Sequence, residues 1–167
     1  HANPPGLRHQ LGDSVDHNSE ANTYTENFNS YHSPILAWAA DGLPIYGPYA
    51  YSDANNPSST VRRMLSGYQK RDGTNGTTNL ATTGRTTLPA WAATFQNRNA
   101  NLSANQQGPP VNNAYVLGRY IEDYDFLNSG DLDQHNGRRC VTPEFPGGTY
   151  AYFITIAADG TPVFPYA

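Results

Sequence analysis

Residues 35–46 read Ile-Leu-Ala-Trp-Ala-Ala-Asp-Gly-Leu-Pro-Ile-Tyr, and this stretch decides the fold class. Residues 35–39 are all apolar, which is typical of a short buried strand. Asp41-Gly42 is a common hairpin turn, because glycine adopts a positive φ without a steric penalty. Residues 43–46 are again mostly apolar, so the stretch predicts an antiparallel β-hairpin.

The same pattern occurs again near the end of the chain. Residues 157–164 read Ala-Ala-Asp-Gly-Thr-Pro-Val-Phe, which indicates either an internal duplication or a second use of a common turn. The preceding residues 149–156 alternate hydroxyl or small side chains with large apolar ones, as a half-buried strand does. Residues 115–121 predict one more strand, whereas residues 59–65 and 89–93 each predict a helical turn or two.

The rest of the chain is polar. Residues 1–30 are rich in Asn, Asp and His and have no sustained periodicity, so they predict an irregular N-terminal arm. Residues 72–84 and 96–113 are too polar for a core and predict surface loops. We therefore predict a mainly β fold with long irregular loops and one or two short helices, as a single domain over residues 1–167 with a β-rich core over residues 31–167.

Composition narrows the class of function. The chain has 167 residues, with 10 Lys and Arg against 14 Asp and Glu, for a net charge of −4. Because phosphate recognition needs clustered cations, we exclude a nucleic-acid partner. No apolar run approaches the roughly 20 residues of a membrane-spanning helix, so we predict no membrane span. The single cysteine, Cys140, is either a buried apolar thiol or half of a bridge to a segment outside this sequence.

An acidic segment is the densest chemical feature. Five of the 14 acidic residues fall within residues 122–133, and no Lys or Arg lies between Arg119 and Arg138. Closely spaced carboxylates repel one another, and Ca²⁺ relieves that repulsion with about six to eight oxygen ligands. A solvated acidic loop paired with Arg138 and Arg139 is the alternative. The predicted ligands from this segment are Asp123, Asp125, Asp131, Asp133 and Asn136.

Histidines offer a second kind of metal site. None of the five has the spacing that places two imidazoles on one helix face, so a helix-borne zinc site is not predicted. A site assembled from distant positions would use His1 and His32, and this ligand set suits Cu²⁺ or Zn²⁺. His32 is favoured because it precedes the apolar hairpin, where a buried imidazole needs a partner.

Several blocks of the sequence occur together in one known family. They are His32-Ser33-Pro34-Ile35, Asp41–Tyr49, Val61–Met64, Tyr120–Tyr124, Asp131–Asp133, Asn136–Arg138 and Thr142–Phe153. In this order they resemble the YHYH-domain proteins of bacteria and some eukaryotes over nearly the whole chain. The Tyr-His-Tyr part of the name motif is missing, and His1-Ala2-Asn3-Pro4 is similar to its last His and the residues that follow. The resemblance implies a secreted, extracellular protein cut from a longer precursor, and it implies no reaction.

Two hypotheses of function follow. In the first, a calcium ion is structural, and the domain is an extracellular module that binds a ligand or forms a homo-oligomer or polymer. Self-association is favoured because the chain has few charged residues to oppose it by repulsion. In the second, the chain is a secreted metal-dependent hydrolase in which the ion activates water. Asp125 or Glu144 would then be the general base, and Arg138 would stabilise the developing negative charge. A site closed by protein ligands favours the first hypothesis, and an open coordination position favours the second.

Overall fold

A computed structural model describes residues 3–166 of the chain. The helices are α1 (Pro5–Gln10), α2 (Leu80–Thr83), α3 (Ala90–Phe95) and a short 3-10 helix (Ile121–Asp123). The strands are β1 (Val15–Asn18), β2 (Thr23–Glu26), β3 (Ile35–Trp38), β4 (Pro44–Tyr46), β5 (Tyr49–Tyr51), β6 (Val61–Arg63), β7 (Tyr68–Lys70), β8 (Tyr124–Phe126), β9 (Gly137–Cys140) and β10 (Thr149–Phe153). The mainly β class with long loops is confirmed, although the described residues form three short α-helices rather than one or two.

Contacts along the chain divide it into two units. The first unit consists of residues 1–66 together with residues 130–167, and the second consists of residues 67–129. The first unit is therefore built from two separate stretches of chain. The predicted domain limits, 1–167 with a core over 31–167, stay a prediction.

A four-stranded sheet organises the first unit. Its strand order is β3-β4-β10-β9. The predicted hairpin is confirmed as the antiparallel pair β3–β4, with one irregularity of register between Ile35 and Ala37. The predicted strand over residues 149–156 is confirmed as β10, which pairs in parallel with β4 and antiparallel with β9. This sheet joins the two separate stretches of chain that make up the first unit.

Buried side chains on this sheet form the core of the first unit. Tyr46 and Phe153 are fully buried, and their rings stack with centroids 5.7 Å apart. Cys140 lies in the same cluster and is 3% exposed, which confirms the buried thiol. Burial raises the pKa of this thiol, so it stays protonated and unreactive at neutral pH. The remaining buried members are Ala50, Met64, Leu132 and Ala151.

The N-terminal arm is more regular than predicted. Residues 5–10 form α1, with Pro5 at the start of the helix where its missing N–H costs nothing. β1 and β2 pair as an antiparallel hairpin. The prediction of an irregular arm was wrong for these elements because a helix of six residues and strands of four are too short to show a periodicity.

A buried ion-pair network holds the arm in place. The Arg8 side chain has no exposed surface, and its Nε lies 2.6 Å from Asp13 Oδ2. Its two terminal nitrogens donate to the carboxylate of Glu26. Asp13 also accepts a hydrogen bond from Ser33 Oγ at 2.7 Å, and Glu26 accepts one from the Tyr49 hydroxyl at 3.0 Å. Because every member has several partners, the charges are compensated inside the protein.

The second unit contains the antiparallel strand pair β7–β8, α2, α3 and the 3-10 helix. Residues 89–93 were predicted to be helical, and α3 confirms this. The strand predicted over residues 115–121 was wrong. Gly118 has a φ of +94°, and the carbonyl oxygens of Tyr115 and Val116 accept hydrogen bonds from Arg85, so this backbone is satisfied by a side chain instead of a neighbouring strand.

Residues 59–65 were predicted as a helical turn, and this was also wrong. Within them β6 pairs antiparallel with β5, so that Val61 lies opposite Tyr51. A β-branched residue opposite an aromatic one favours a strand pair over an isolated helical turn. In the described part of the chain, none of the helices has the length and apolar character needed to cross a membrane.

Candidate functional site

Arginines distant in sequence compensate the acidic segment. Asp123 accepts two hydrogen bonds from Arg85, at 2.7 and 2.8 Å. Asp131 accepts two from Arg62, at 2.7 and 2.5 Å. Both contacts are bidentate, which is the geometry in which guanidinium and carboxylate groups interact most strongly.

The other residues of the segment also contact protein groups. Asp125 lies 3.6 Å from the Nε of Arg71. Asp133 accepts a hydrogen bond from the Tyr150 hydroxyl at 2.8 Å and others from nearby backbone N–H groups. Asn136 donates to the Phe153 carbonyl at 2.7 Å. The arginine partners predicted for an acidic loop, Arg138 and Arg139, were therefore wrong: the partners are Arg62, Arg71 and Arg85.

This arrangement bears on the predicted calcium site. A calcium ion could bind Asp123 and Asp131 only by displacing the arginines, because both carboxylates accept bidentate hydrogen bonds from them. Within residues 3–166 there is no group of three or more His, Cys, Asp or Glu side chains suited to holding a metal ion. The calcium site stays a prediction, and His1 lies outside the described residues.

His32 stands out among the predicted site residues. Its Nδ1 lies 2.8 Å from the carbonyl oxygen of Ser33, and because a carbonyl only accepts, Nδ1 carries the proton. The unprotonated Nε2 is buried and has no hydrogen-bond partner among residues 3–166. Burial lowers the pKa of the imidazole below 6.5, against the opposing effects of the Ser33 carbonyl and Glu144. The ring is therefore neutral at physiological pH and presents a free lone pair.

Aromatic rings surround this imidazole. The His32 ring lies edge-on to Tyr46, with centroids 5.0 Å apart, and it is also 5.0 Å from Tyr51. Phe153 closes the site at 6.3 Å. The hairpin positions this set, because Tyr46 ends β4 and pairs with Phe153 of β10. The rings fix the orientation of His32 and keep its Nε2 away from bulk water.

A carboxylate and a guanidinium complete the site. The Tyr46 hydroxyl donates to Glu144 Oε2 at 2.8 Å and lies 2.8 Å from the Thr142 hydroxyl. Arg138 donates from Nη2 to the Tyr51 carbonyl at 2.6 Å, while its Nε is buried and has no hydrogen-bond partner among the residues that the structure describes. Glu144 raises the pKa of His32 and Arg138 lowers it, so both charges act on the imidazole.

Three residues predicted for different roles thus meet in one place. His32 was predicted as a metal ligand, and Glu144 and Arg138 as catalytic groups. Asp125, the other predicted general base, lies beside Arg71 in the second unit. Tyr46 and Thr142 were not among the predicted metal ligands or catalytic groups. For Tyr46 the available signal was its place at the end of the hairpin strand.

Chemically, the site combines a free imidazole nitrogen, an exposed carboxylate and a half-buried cation. Imidazole and carboxylate together can ligate a transition metal, and the guanidinium can bind an anionic group. The lowered pKa of His32 keeps its lone pair available at neutral pH.

Comparisons with known proteins identify the family to which the chain belongs. A search of curated proteins and a search of solved structures each returned no match. The model of one family, described as YHYH protein, matches residues 1–164. This match spans nearly the whole sequence, as the resemblance in its blocks predicted, and the chain therefore belongs to the YHYH protein family.

Proposed function

We propose that this chain is a metal-binding domain for Zn²⁺ or Cu²⁺ in which His32 Nε2 supplies the nitrogen ligand and Glu144 an oxygen ligand. One observation carries the proposal: Nε2 is a buried acceptor that finds no hydrogen-bond partner in the described part of the chain. Such an atom costs roughly 1–3 kcal/mol, so proteins rarely keep one without a use.

The tautomer of His32 supports this role. Metal-binding histidines usually donate their other ring N–H to a carbonyl or carboxylate, which orients the ring and leaves the ligating nitrogen unprotonated. His32 makes this contact through Nδ1 to Ser33. Glu144 is held in turn by the Tyr46 hydroxyl. The nitrogen and its neighbouring carboxylate are therefore both oriented by further protein groups.

Ligand chemistry favours Zn²⁺ or Cu²⁺ over Ca²⁺ at this place. Calcium prefers oxygen ligands, whereas imidazole suits zinc and copper. Two protein ligands leave several coordination positions open. His1 remains a proposed further ligand from the sequence, since it lies outside the described residues.

Metal-dependent hydrolysis is the second candidate function. Arg138 favours it, because a guanidinium with a buried, unpaired Nε beside the proposed ion suits the negative charge that develops during hydrolysis. Glu144 is exposed and would act as general base toward a metal-bound water. In this scheme the open positions of the metal admit water and substrate.

Calorimetric titration of the chelator-treated protein with Zn²⁺ and Cu²⁺ tests the proposal. We expect stoichiometric binding that His32→Gln abolishes and Glu144→Gln weakens. The matched control is His135→Gln, which removes an exposed loop histidine and should leave binding unchanged. Unaltered binding in His32→Gln, or no binding of either ion to the native protein, would refute the assignment.

The calcium hypothesis is tested with the same samples. A calcium-stabilised module should gain thermal stability with Ca²⁺ and lose that gain in the double variant Asp131→Ala, Asp133→Ala. An extracellular location and self-association are further proposals that rest on the family resemblance and the low charge. A protein that sediments as a monomer at high concentration with Ca²⁺ present would contradict self-association.

A further inference from the structure

The second unit contains a cavity that the proposed metal site does not use. Its volume is about 220 Å³, and every residue lining it belongs to residues 67–129. One water needs about 10–15 Å³ of such space, so the cavity has room for several waters or for a small ligand. The polar groups of its wall that matter here are Arg71, Arg85, Arg98, Gln96, Tyr120 and Glu122.

Two of the three arginines are committed to the fold. Arg85 pairs with Asp123, donates to the Pro109 carbonyl and lies over the Tyr120 ring, with its Cζ 4.8 Å from the ring centroid. Arg71 is 2% exposed, and it donates to both the carbonyl and the hydroxyl of Thr87. These two side chains form a rigid part of the cavity wall, and most of their N–H groups already donate hydrogen bonds within the protein.

Arg98 is different. It is exposed, and the one hydrogen bond that its guanidinium donates among the described residues goes to Gln96 Oε1 at the long distance of 3.4 Å. Among the ion pairs of residues 3–166, none includes Arg98. The cavity therefore has at its wall a cation whose hydrogen-bonding capacity is nearly all available for a ligand.

Acceptors lie beside this cation. Gln96 also donates to Glu122 Oε1 at 3.3 Å, so the carboxylate and the guanidinium are linked through a single amide. Glu122 keeps further lone pairs that can accept hydrogen bonds from hydroxyl groups. Leu88 and Leu102 add apolar surface to the same cavity. A free guanidinium next to a carboxylate acceptor suits a ligand that carries both a carboxylate and hydroxyl groups.

We propose that this cavity binds a small sugar acid, with the ligand's carboxylate on Arg98 and its hydroxyl groups on Glu122 and Gln96. A charged guanidinium–carboxylate contact is stronger than a neutral one, so the acid is expected to bind in preference to the neutral sugar. Arg71 and Arg85 add positive charge around the ligand.

Titration of the full chain with D-glucuronate, followed by NMR chemical shifts or calorimetry, tests this. We expect saturable binding of glucuronate, with glucose and the uncharged methyl ester of glucuronate at least about tenfold weaker. Arg98→Gln should weaken glucuronate binding by at least about tenfold without unfolding the protein, because Arg98 is exposed. The matched control is Arg119→Gln, since Arg119 is an exposed arginine of the same unit that does not line the cavity.

The outcomes are distinct. Binding of glucuronate that Arg98→Gln loses and Arg119→Gln keeps supports the site. Absence of glucuronate binding, equal binding of glucose, or full binding in Arg98→Gln overturns it. Because His32 and Glu144 lie outside this unit, the result does not depend on the proposed metal site.

Discussion

Replacing Arg85 by methionine tests the most consequential pairing in the acidic segment. Methionine keeps much of the side-chain length but removes the guanidinium. The Asp123 side chain is 1% exposed, so the variant leaves a carboxylate buried without its cation. Three backbone carbonyls also lose a donor. Among the described residues, the N–H groups of Gly118 and Tyr120 are the donors that remain on the carboxylate.

The magnitude follows from this geometry. Removing one partner of a buried ion pair costs about 3–5 kcal/mol of unfolding free energy. For a chain of this size, each kcal/mol shifts the melting temperature by about 2–4 °C, so the expected decrease at pH 7 is about 6–20 °C. The control variant Arg119→Met, at an exposed position, should change the melting temperature little.

The dependence on pH gives the sharper test. Burial raises the pKa of Asp123, but the hydrogen bonds from Arg85 and the backbone outweigh it and hold the pKa below its usual value. The stabilisation that this lowered pKa provides is fully present above the pKa of an aspartate in the unfolded chain, which is about 4. It is lost as the pH falls through the lower pKa that Asp123 has in the folded protein. In Arg85→Met the buried carboxylate takes up a proton more readily, so the difference from the native protein should shrink toward acid pH.

Urea unfolding at pH 7 and at about pH 4, followed by fluorescence, measures both quantities. A loss below about 1 kcal/mol at pH 7, or an equal loss at both pH values, would refute the reasoning. If Asp123 instead held calcium, chelation would destabilise the native protein strongly, and Arg85→Met would matter less.

Three further predictions concern the first unit. Gly130→Ala places a methyl group 2.4 Å from a backbone oxygen and should cost about 1–3 kcal/mol in urea unfolding, whereas Gly147→Ala meets nothing within 4 Å and should be neutral. Arg62→Gln removes the partner of Asp131, but 42% of the arginine side chain is exposed, so a loss of about 1 kcal/mol or less that disappears at high salt is expected. His32 has a lowered pKa, so its contribution to stability is present above about pH 6.5 and falls as the pH drops below it; His32→Gln should flatten the melting temperature between pH 7 and 5.

The sequence predicted those parts of the fold whose signal is local. The hairpin of residues 35–46 and strand β10 were predictable because alternation and an Asp-Gly turn are read within a few residues. The segment 115–121 has the same apolar character, but its backbone bonds to Arg85, which stands 30 positions away from Tyr115. No local pattern contains that contact.

The candidate site illustrates the same limit. His32, Glu144 and Arg138 were each singled out, yet for three separate reasons, and their meeting depends on the parallel pair of β4 and β10. The charge of the acidic segment was also read correctly. The arginine partners of these acidic residues were not predicted, because Arg62 lies 69 positions from Asp131 and only the fold brings them together.

The parallel pair of β4 and β10 also constrains the order of folding. Tyr46 and Thr142, neighbours in the candidate site, are 96 positions apart in the chain. A ribosome completes the first of these residues long before the second, and closing so large a loop is slow. We therefore expect nascent chains to remain susceptible to proteolysis until β10 has been synthesised. A chain truncated before residue 149 should lose the whole sheet core rather than only its final strand.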